Sequence, residues 1–314
     1  MSRVLITGAS GFLGRNFIEL LLSHHDHTIV ALSRTPEDIG IFHPRVQVVS
    51  HDLQHPFGDD LIAQVGGVDY IIHFAAATNA QESSRNPLSF VMNNMVGTAH
   101  LLEFARASHQ NLKQFLFFST AEVFGPAPTG TVFNEESRLN PLSPYAATKI
   151  GAQELCMAYK NTFGLPTIIA YAMNSFGPYQ SSEKFVPLVV EKILKGEEVS
   201  IHLNPEGTAP NRRNYLHVKD MCDAIYFLMK RGQPGEKYNI ASAQETDNLH
   251  LAQLIARLLD KKLHYALDSE SPRPLALPRL SGEKLYHLGW REKRTLEEGM
   301  HEYLEGLRGE DRGE

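Results

Sequence analysis

The chain has 314 residues, 42% of them hydrophobic, and a formal net charge of −6. That balance suits a globular protein with room for a nucleotide-binding domain and a second lobe. No lysine- or arginine-rich run makes an electrostatic case for nucleic acid or an anionic membrane surface. No apolar run approaches the ~18 residues of a membrane span. Cys156 and Cys222 fall in helix-like segments and read as buried, reduced thiols of a cytoplasmic protein. The chain enters a strand at once, leaving no room for a signal peptide. No metal is expected: His24, His25 and His27 read as a solvated helix end that complements the helix dipole.

The first strand-like run, Val4–Thr7, leads into Thr7-Gly-Ala-Ser-Gly-Phe-Leu-Gly14 and then an amphipathic helix, Asn16–Leu22, opening at about Arg15. Gly8 permits a tight turn, Gly11 lets backbone N–H groups approach a diphosphate, and Gly14 lets the helix pack close to the strand. The helix N-terminus adds about half a positive charge where phosphates would lie. Further strands are predicted at Thr28–Leu32, Val46–Ser50, Tyr70–Phe74, Phe115–Ser119 and Thr167–Tyr171, with helices at Leu61–Val65, Pro87–Ala107 and Tyr145–Phe163. Short apolar runs with little alternation suit parallel strands buried on both faces. The fold class is therefore α/β, a doubly wound parallel sheet.

Beyond residue 172 the pattern changes. Helix Val186–Lys195 sits in a Pro-, Gly- and Asn-rich stretch. Leu216–Lys230 reads as strand then helix, Lys237–Ile240 as a strand, and Leu249–Leu259 and Leu296–Leu307 as helices. The expected division is a dinucleotide-binding domain over 1–172, with 214–242 returning to it. A smaller interleaved α/β lobe over 173–213 and 243–314 would take the substrate, the ligand lying in the crevice between the two.

Tyr145 and Lys149 stand four apart at the start of a helix, after Pro144, which suits a first turn. The spacing puts phenol and ammonium on one face. A nearby cation favours phenolate, so the tyrosine should titrate below its usual ~10 and serve as acid and base toward a sugar hydroxyl. The strand Phe115–Ser119 finishes polar. If the chain stays extended, Thr120 and Glu122 point to one side and Ala121 to the other.

In these motifs the chain resembles the extended short-chain dehydrogenase/reductase family that acts on nucleotide-activated sugars. Supporting motifs are residues 7–14, Asp52-Leu53, His73-Phe-Ala-Ala76, Asn94-Met-Val-Gly-Thr98, Ser119–Gly125, Tyr145…Lys149, Asn174–Gln180 with Glu183-Lys184, Arg213…Val218-Lys-Asp220, and Leu288-Gly-Trp290. Within that family it is most similar to the NDP-hexose 4,6-dehydratases, the dTDP-glucose enzymes in particular. The resemblance implies a tightly bound NAD(P)+ held by Gly8, Ser10, Gly11, Phe12, Leu13, Gly14, Ser33, Arg34, Asp52, Leu53, Phe74, Ala75, Ala76, Tyr145 and Lys149. It implies a nucleotide-diphosphate sugar substrate touched by Thr120, Asn174, Lys184 and Arg213, an Arg fork suiting phosphate. In the implied reaction Tyr145 removes the O4 proton while C4 is oxidised, Thr120 bonds O4, and Lys149 holds the nicotinamide ribose. Glu122 then removes the C5 proton, water leaves from C6, and the hydride returns at C6. A homodimer through 87–107 and 145–163 is usual in the family; the apolar excess at Phe90, Val91, Met92, Met95, Val96, Leu155, Cys156 and Met157 suits it.

The sequence departs from that pattern in places. The dTDP-glucose enzymes carry Asp-Glu after the threonine, the Asp serving as acid for the departing water; here the pair is Ala121-Glu122. Where NAD-preferring members place an Asp for the ribose 2′-hydroxyl, this chain has Ser33-Arg34, which favours a 2′-phosphate and predicts NADP(H) binding at least as ready as NAD(H). Tyr171 stands where relatives often carry Arg, and segment 202–213 is long for its loop and is expected to shape the nucleotide pocket. The alternatives are decarboxylation of an NDP-hexuronate or C4 epimerisation by the same 4-keto chemistry. A non-catalytic dinucleotide sensor is opposed by intact Thr120, Tyr145 and Lys149.

Overall fold

In the computed structural model, which describes residues 1–107, 111–126, 130–204, 207–268 and 279–310, strands and helices alternate from the first residues. They run β1 (Ser2–Thr7), α1 (Phe12–His24), β2 (His27–Ser33), β3 (Val46–Ser50), α2 (Asp59–Val65), β4 (Tyr70–His73), α3 (Ala80–Arg85), α4 (Pro87–Phe90), α5 (Gly97–Ala107), β5 (Gln114–Thr120), β6 (Val132–Phe133), α6 (Pro144–Phe163) and β7 (Thr167–Ala172). The second part holds β8 (Asn174–Phe176), α7 (Phe185–Lys195), β9 (Glu198–His202), β10 (Arg212–His217), α8 (Val218–Arg231), β11 (Lys237–Ile240), β12 (Glu245–Asp247), α9 (Asn248–Leu259), β13 (His264–Asp268), β14 (Arg279–Leu280), α10 (Glu283–Leu288) and α11 (Leu296–Glu310).

Seven parallel strands form the central sheet in the order β11-β7-β5-β4-β1-β2-β3. The Rossmann-like α/β architecture is therefore as the sequence predicts. Because side chains alternate across a strand, β1 serves two cores: Val4 and Ile6 pack with Phe17 and Leu21 of α1 and Ile225 of α8, while Leu5 packs with Leu101, Phe104 and Cys156 of α5 and α6. The chain order reverses beside β1, between β2 and β4. Ligands bind at the carboxyl ends of strands at such a reversal.

Helix 87–107 contains a π-helical stretch, Val91–Val96, that α4 and α5 continue on either side. A wider turn of this kind often marks a functional site. Here it turns buried Asn94 toward Ala77, whose N–H donates to Asn94 Oδ1 at 2.8 Å, and Asn94 Nδ2 donates to Ala77 O at 3.0 Å.

Three small sheets, β12-β10-β8, β13-β9 and β14-β6, lie outside the central one. A third apolar cluster joins Val190 and Ile193 of α7, Leu251 and Ile255 of α9, and Met300 and Tyr303 of α11. The tail is pinned by Asp220, fully buried, which accepts from Arg294 N at 3.0 Å and Arg294 Nη1 at 2.6 Å. Trp290 Nε1 donates to Asp223 at 3.0 Å. The Val218-Lys-Asp220 and Leu288-Gly-Trp290 motifs are thus structural.

Several expectations are corrected. The first helix opens at Phe12, not Arg15, with Gly11 as its N-cap. The histidine group is not wholly solvated: His27 is buried, its Nε2 lies 3.3 Å from the Tyr226 hydroxyl, and His25 stacks on Tyr226 at 3.7 Å. Desolvation holds both imidazoles below their ordinary value. Phe90 and Cys156 are buried within the chain, whereas Leu88, Met92 and Phe163 are exposed.

Candidate active site

The turn after β1 is shaped by what it excludes. Gly8 has φ +67°, and a Cβ there would meet Ala75 N at 2.8 Å; at Gly14 a Cβ would meet Gly8 O at 2.2 Å. Strand end, turn and helix therefore approach closer than any side chain allows. No side chain caps α1 and no acidic residue lies in its first turn, so its N-terminus is available to an anion. A cleft of ≈820 Å³ opens there. Gly8, Ser10, Gly11, Phe12, Leu13, Gly14, Ser33, Arg34, Asp52, Leu53, Phe74, Ala75 and Ala76 all line it. The cradle, the helix end and the volume fit a dinucleotide diphosphate. Ser10 and Ser33 hydroxyls are 2.8 Å apart, and exposed Arg34 donates to Asn93 Oδ1 at 3.3 Å.

Beneath this cleft, His73 ties the strand ends together. Thr98 Oγ1 donates to Asn94 O at 2.6 Å, so it accepts from His73 Nε2 at 2.9 Å; Nδ1 then accepts from Thr7 Oγ1 at 2.7 Å. The network fixes a neutral tautomer, and burial brings the imidazole down to about 3. The His73 and Asn94–Thr98 motifs are therefore scaffolding for the cleft floor.

A second part of ≈460 Å³ adjoins the first and shares Phe12, Leu13, Phe74, Ala76, Thr78, Gln180 and Lys184 with it. Thr120, Glu122, Tyr145, Lys149, Asn174, Lys184 and Arg213 all line it. Ser143 caps α6 by accepting from Ala146 N at 3.1 Å, with Pro144 in the first turn, which sets Tyr145 and Lys149 one turn apart. Both are buried. Thr120 and Tyr145 line this part together, and the Thr120 side chain slightly favours the phenolate. On β10, alternation puts Arg213 and Tyr215 on one face, and Tyr215 lies in register with Asn174 of β8.

The expectation of an extended 120–122 fails. Ala121–Phe124 is a 3₁₀ turn, and Thr120 caps it by accepting from Glu122 N at 3.2 Å. A threonine at an N-cap with an acid in the first turn is a common helix start. The turn still brings Thr120 and Glu122 to one cleft, but Ala121 faces the same region, lining a side cavity of ≈80 Å³ with Arg212, Arg213 and Arg279.

The electrostatics also differ from expectation. Desolvation, and then the charge of Glu122, push the Tyr145 phenol above its usual range. Burial brings Lys149 down to about 7, and its Nζ sits 4.2 Å from the Phe117 ring centroid. The ammonium is thus itself destabilised by burial and does not depress the phenol. Burial raises Glu122 against the pull of Lys184 and Arg213.

Tyr171 is a core residue. It packs on Phe124 at 5.0 Å, and its hydroxyl accepts from Gln153 Nε2 at 3.1 Å. Of segment 202–213, His202, Asn211 and Arg213 line the second part of the cleft; residues 205 and 206 lie outside the described residues. Gln180 falls in the Asn174–Gln180 motif, and His202 and Asn211 in the segment expected to shape the nucleotide pocket, though none was named singly; Tyr215 and Asn248 were missed as lining residues. The alternation of β10, pairing Tyr215 with Arg213, carried a signal for Tyr215.

Comparison with known proteins agrees with this architecture. The sequence matches the NAD dependent epimerase/dehydratase family over residues 4–241. It is 32% identical over 317 residues to a trifunctional UDP-glucose 4,6-dehydratase/UDP-4-keto-6-deoxy-D-glucose 3,5-epimerase/UDP-4-keto-L-rhamnose-reductase of Arabidopsis thaliana, covering 96% of this chain and 46% of that one. The chain thus spans about half the length of that curated relative. It is 34% identical to the dTDP-glucose 4,6-dehydratase of Streptomyces niveus over 265 residues, 81% of this chain and 77% of the other. A dTDP-glucose 4,6-dehydratase from Streptomyces venezuelae, solved with NAD bound, matches with a TM-score of 0.86 and 29% identity over 99% of this chain and 98% of that one. Sequence, cleft and fold agree: the chain belongs to the NAD dependent epimerase/dehydratase family.

Proposed function

We propose that this chain is a nucleotide-diphospho-hexose 4,6-dehydratase. The observation that carries the reading is Glu122. It is a partly buried carboxyl raised by desolvation, in the same cleft as Thr120 and Tyr145 and near Lys184 and Arg213. Epimerisation at C4 needs no base at C5, whereas elimination of water across C5 and C6 does. Burial of this kind raises a carboxyl's affinity for a proton, while the neighbouring cations oppose that shift and favour the ionised base.

A bound nicotinamide dinucleotide supplies the oxidation at C4 and the reduction that closes the cycle. Tyr145 takes the proton from O4, and Thr120, which lines the same part of the cleft, orients O4. The burial that raises the phenol in the free protein is offset when a positive ring enters the cleft, since a nearby cation favours phenolate. Lys149 holds the ribose. Glu122 takes the C5 proton, made acidic by the 4-keto group. Lys184, which lines both parts of the cleft, and Arg213 lie where a sugar diphosphate would pass, and Asn174 bonds the sugar.

For the cofactor, Arg34 and the Ser10–Ser33 pair at one end of the cleft support NADP(H) binding at least as ready as NAD(H). Exposed Leu88, Met92 and Phe163 support a homodimer through the helices 87–107 and 144–163. A second reading, decarboxylation of an NDP-hexuronate, is favoured by the three arginines near Ala121.

The test is incubation of the purified protein with dTDP-glucose, UDP-glucose and UDP-glucuronate, following product mass. The dehydratase reading expects a hexose product lighter by one water. An unchanged mass with a new sugar, or loss of carbon dioxide from the uronate alone, overturns it.

A further inference from the structure

Elimination needs a base at C5 and an acid at the oxygen leaving C6. Among the described residues, Glu122 is the only carboxyl lining the substrate part of the cleft and its side cavity. One carboxyl would have to take a proton at carbon and deliver one to oxygen in the same event.

The side cavity offers a second donor. Its ≈80 Å³ lies against Ala121, Glu122, Asn174, Arg212, Arg213 and Arg279, and Thr120, Glu122, Asn174 and Arg213 belong to the main cleft as well. A buried water needs only about 10–15 Å³ and a few polar partners, so the space suits more than one. Its lining mixes apolar Ala121, Ala172 and Met173 with three arginines, Glu122 and the polar side chains of Asn174 and Asn214. Glu245 engages Arg212 at 2.8 Å and Arg279 at 3.5 Å, which leaves Arg213 facing Glu122. A water beside guanidinium groups is a better proton donor than bulk water, because its conjugate base is stabilised by nearby positive charge. The small side chain of Ala121, itself buried, forms part of the wall of this space.

We propose that water held in the Ala121 side cavity is the acid of the elimination, relaying the C5 proton from Glu122 to the oxygen leaving C6. The proposal rests on the dehydratase reading. The C5–H pair becomes the C5–C6 double bond as the C6–O bond breaks, and the proton goes to the Glu122 carboxylate. The departing hydroxide takes a proton from the cavity water, which regains one from the Glu122 carboxyl. One water leaves, Glu122 ends as carboxylate, and the cavity water is unchanged.

The experiment compares the parent with Ala121→Val, which fills the cavity, and Ala121→Asp, which places a carboxyl at its wall. dTDP-glucose and UDP-glucose are the probes. Single turnovers are followed by nicotinamide absorbance for the first step and by product mass for the elimination, in mixtures of light and heavy water. Ala121→Val is expected to reduce the nicotinamide at the parent rate but to eliminate at least about tenfold more slowly, the low end of what a general acid contributes. In the parent, the elimination rate should bow against heavy-water fraction, as two protons move; in Ala121→Asp it should stay within a few-fold of the parent with a straighter dependence. A Val variant eliminating at the parent rate overturns the relay. If that variant does not fold, an Asp variant with the parent's bowed dependence overturns it instead. A parent that never loses water overturns the dehydratase reading itself, which separates the two failures.

Discussion

The two ends of the cleft are built by opposite means. The cofactor end is largely backbone: a strand, a turn whose glycines leave no room for a Cβ, and an uncapped helix N-terminus. The sugar end is made of side chains from many separate stretches of chain, several of them buried and displaced from their ordinary titration. A backbone site tolerates many sequences provided certain side chains are absent. A side-chain site depends on particular groups and on the charge state that burial imposes on them. Substitutions should therefore separate the ends cleanly, those at one abolishing binding and those at the other abolishing chemistry in a folded, cofactor-binding protein.

The largest effect is expected at the sugar end. Tyr145→Phe should lower turnover by about 10²–10⁴, the range of a general acid–base, while the cofactor still binds in titrations. Undiminished turnover removes Tyr145 from the proposed role. Glu122→Gln should split the reaction, retaining nicotinamide reduction and losing water elimination by a similar ~10²–10⁴ factor in single turnovers. Equal loss of both steps would mean that Glu122 acts before elimination.

At the cofactor end, Gly14→Val should abolish dinucleotide binding and destabilise the protein by about 1–3 kcal/mol or more, since its side chain must displace the Gly8 carbonyl. Thermal melts and titration check both. The most specific test of the electrostatic contrast is Lys149→Met. Burial lowers the ammonium from 10.5 to about 7, so the folded protein binds fewer protons than the unfolded chain across that window. This group therefore makes folding progressively less favourable as pH falls from ~10.5 to ~7 and adds no further change below that. Lys149→Met should melt higher than the parent at about pH 6, the advantage shrinking toward about pH 10. A difference independent of pH would contradict it. The smallest effect is Arg34→Ala, expected to weaken NADP+ binding about tenfold, as for one charge-assisted phosphate contact, and NAD+ hardly at all. In the parent, NAD+ binding tighter than NADP+ sinks the preference.

The same contrast explains what could be read from the chain alone. The cofactor turn is a local signal: eight residues lie between an apolar strand and an amphipathic helix, and Gly8, Ser10, Gly11, Phe12, Leu13 and Gly14 of the turn all line the cleft. Tyr145 and Lys149 were also legible, because helix spacing fixes their relation once Ser143 and Pro144 start the helix. The chemistry of that pair was not. Their charge states are decided first by burial beneath residues that arrive from elsewhere in the sequence, with the charge of Glu122 adding to it at Tyr145. Likewise the 3₁₀ turn after Thr120 reflects a capping choice that competes with strand continuation, and period-two reasoning cannot see it. His202, Asn211 and Asn248 sit in no motif; only the small sheets and helices of the second part bring them to the cleft.

The central claim is that the partly buried carboxyl at 122 turns a shared C4 oxidation into loss of water. The most direct measurement is the mass of the product formed from dTDP-glucose or UDP-glucose by the parent and by Glu122→Gln. The account predicts a product lighter by one water from the parent, with the nicotinamide returned to its starting state, and none from the variant, which should stop with its nicotinamide reduced. A parent product of unchanged mass, or a variant that still eliminates water at the parent rate, would contradict it.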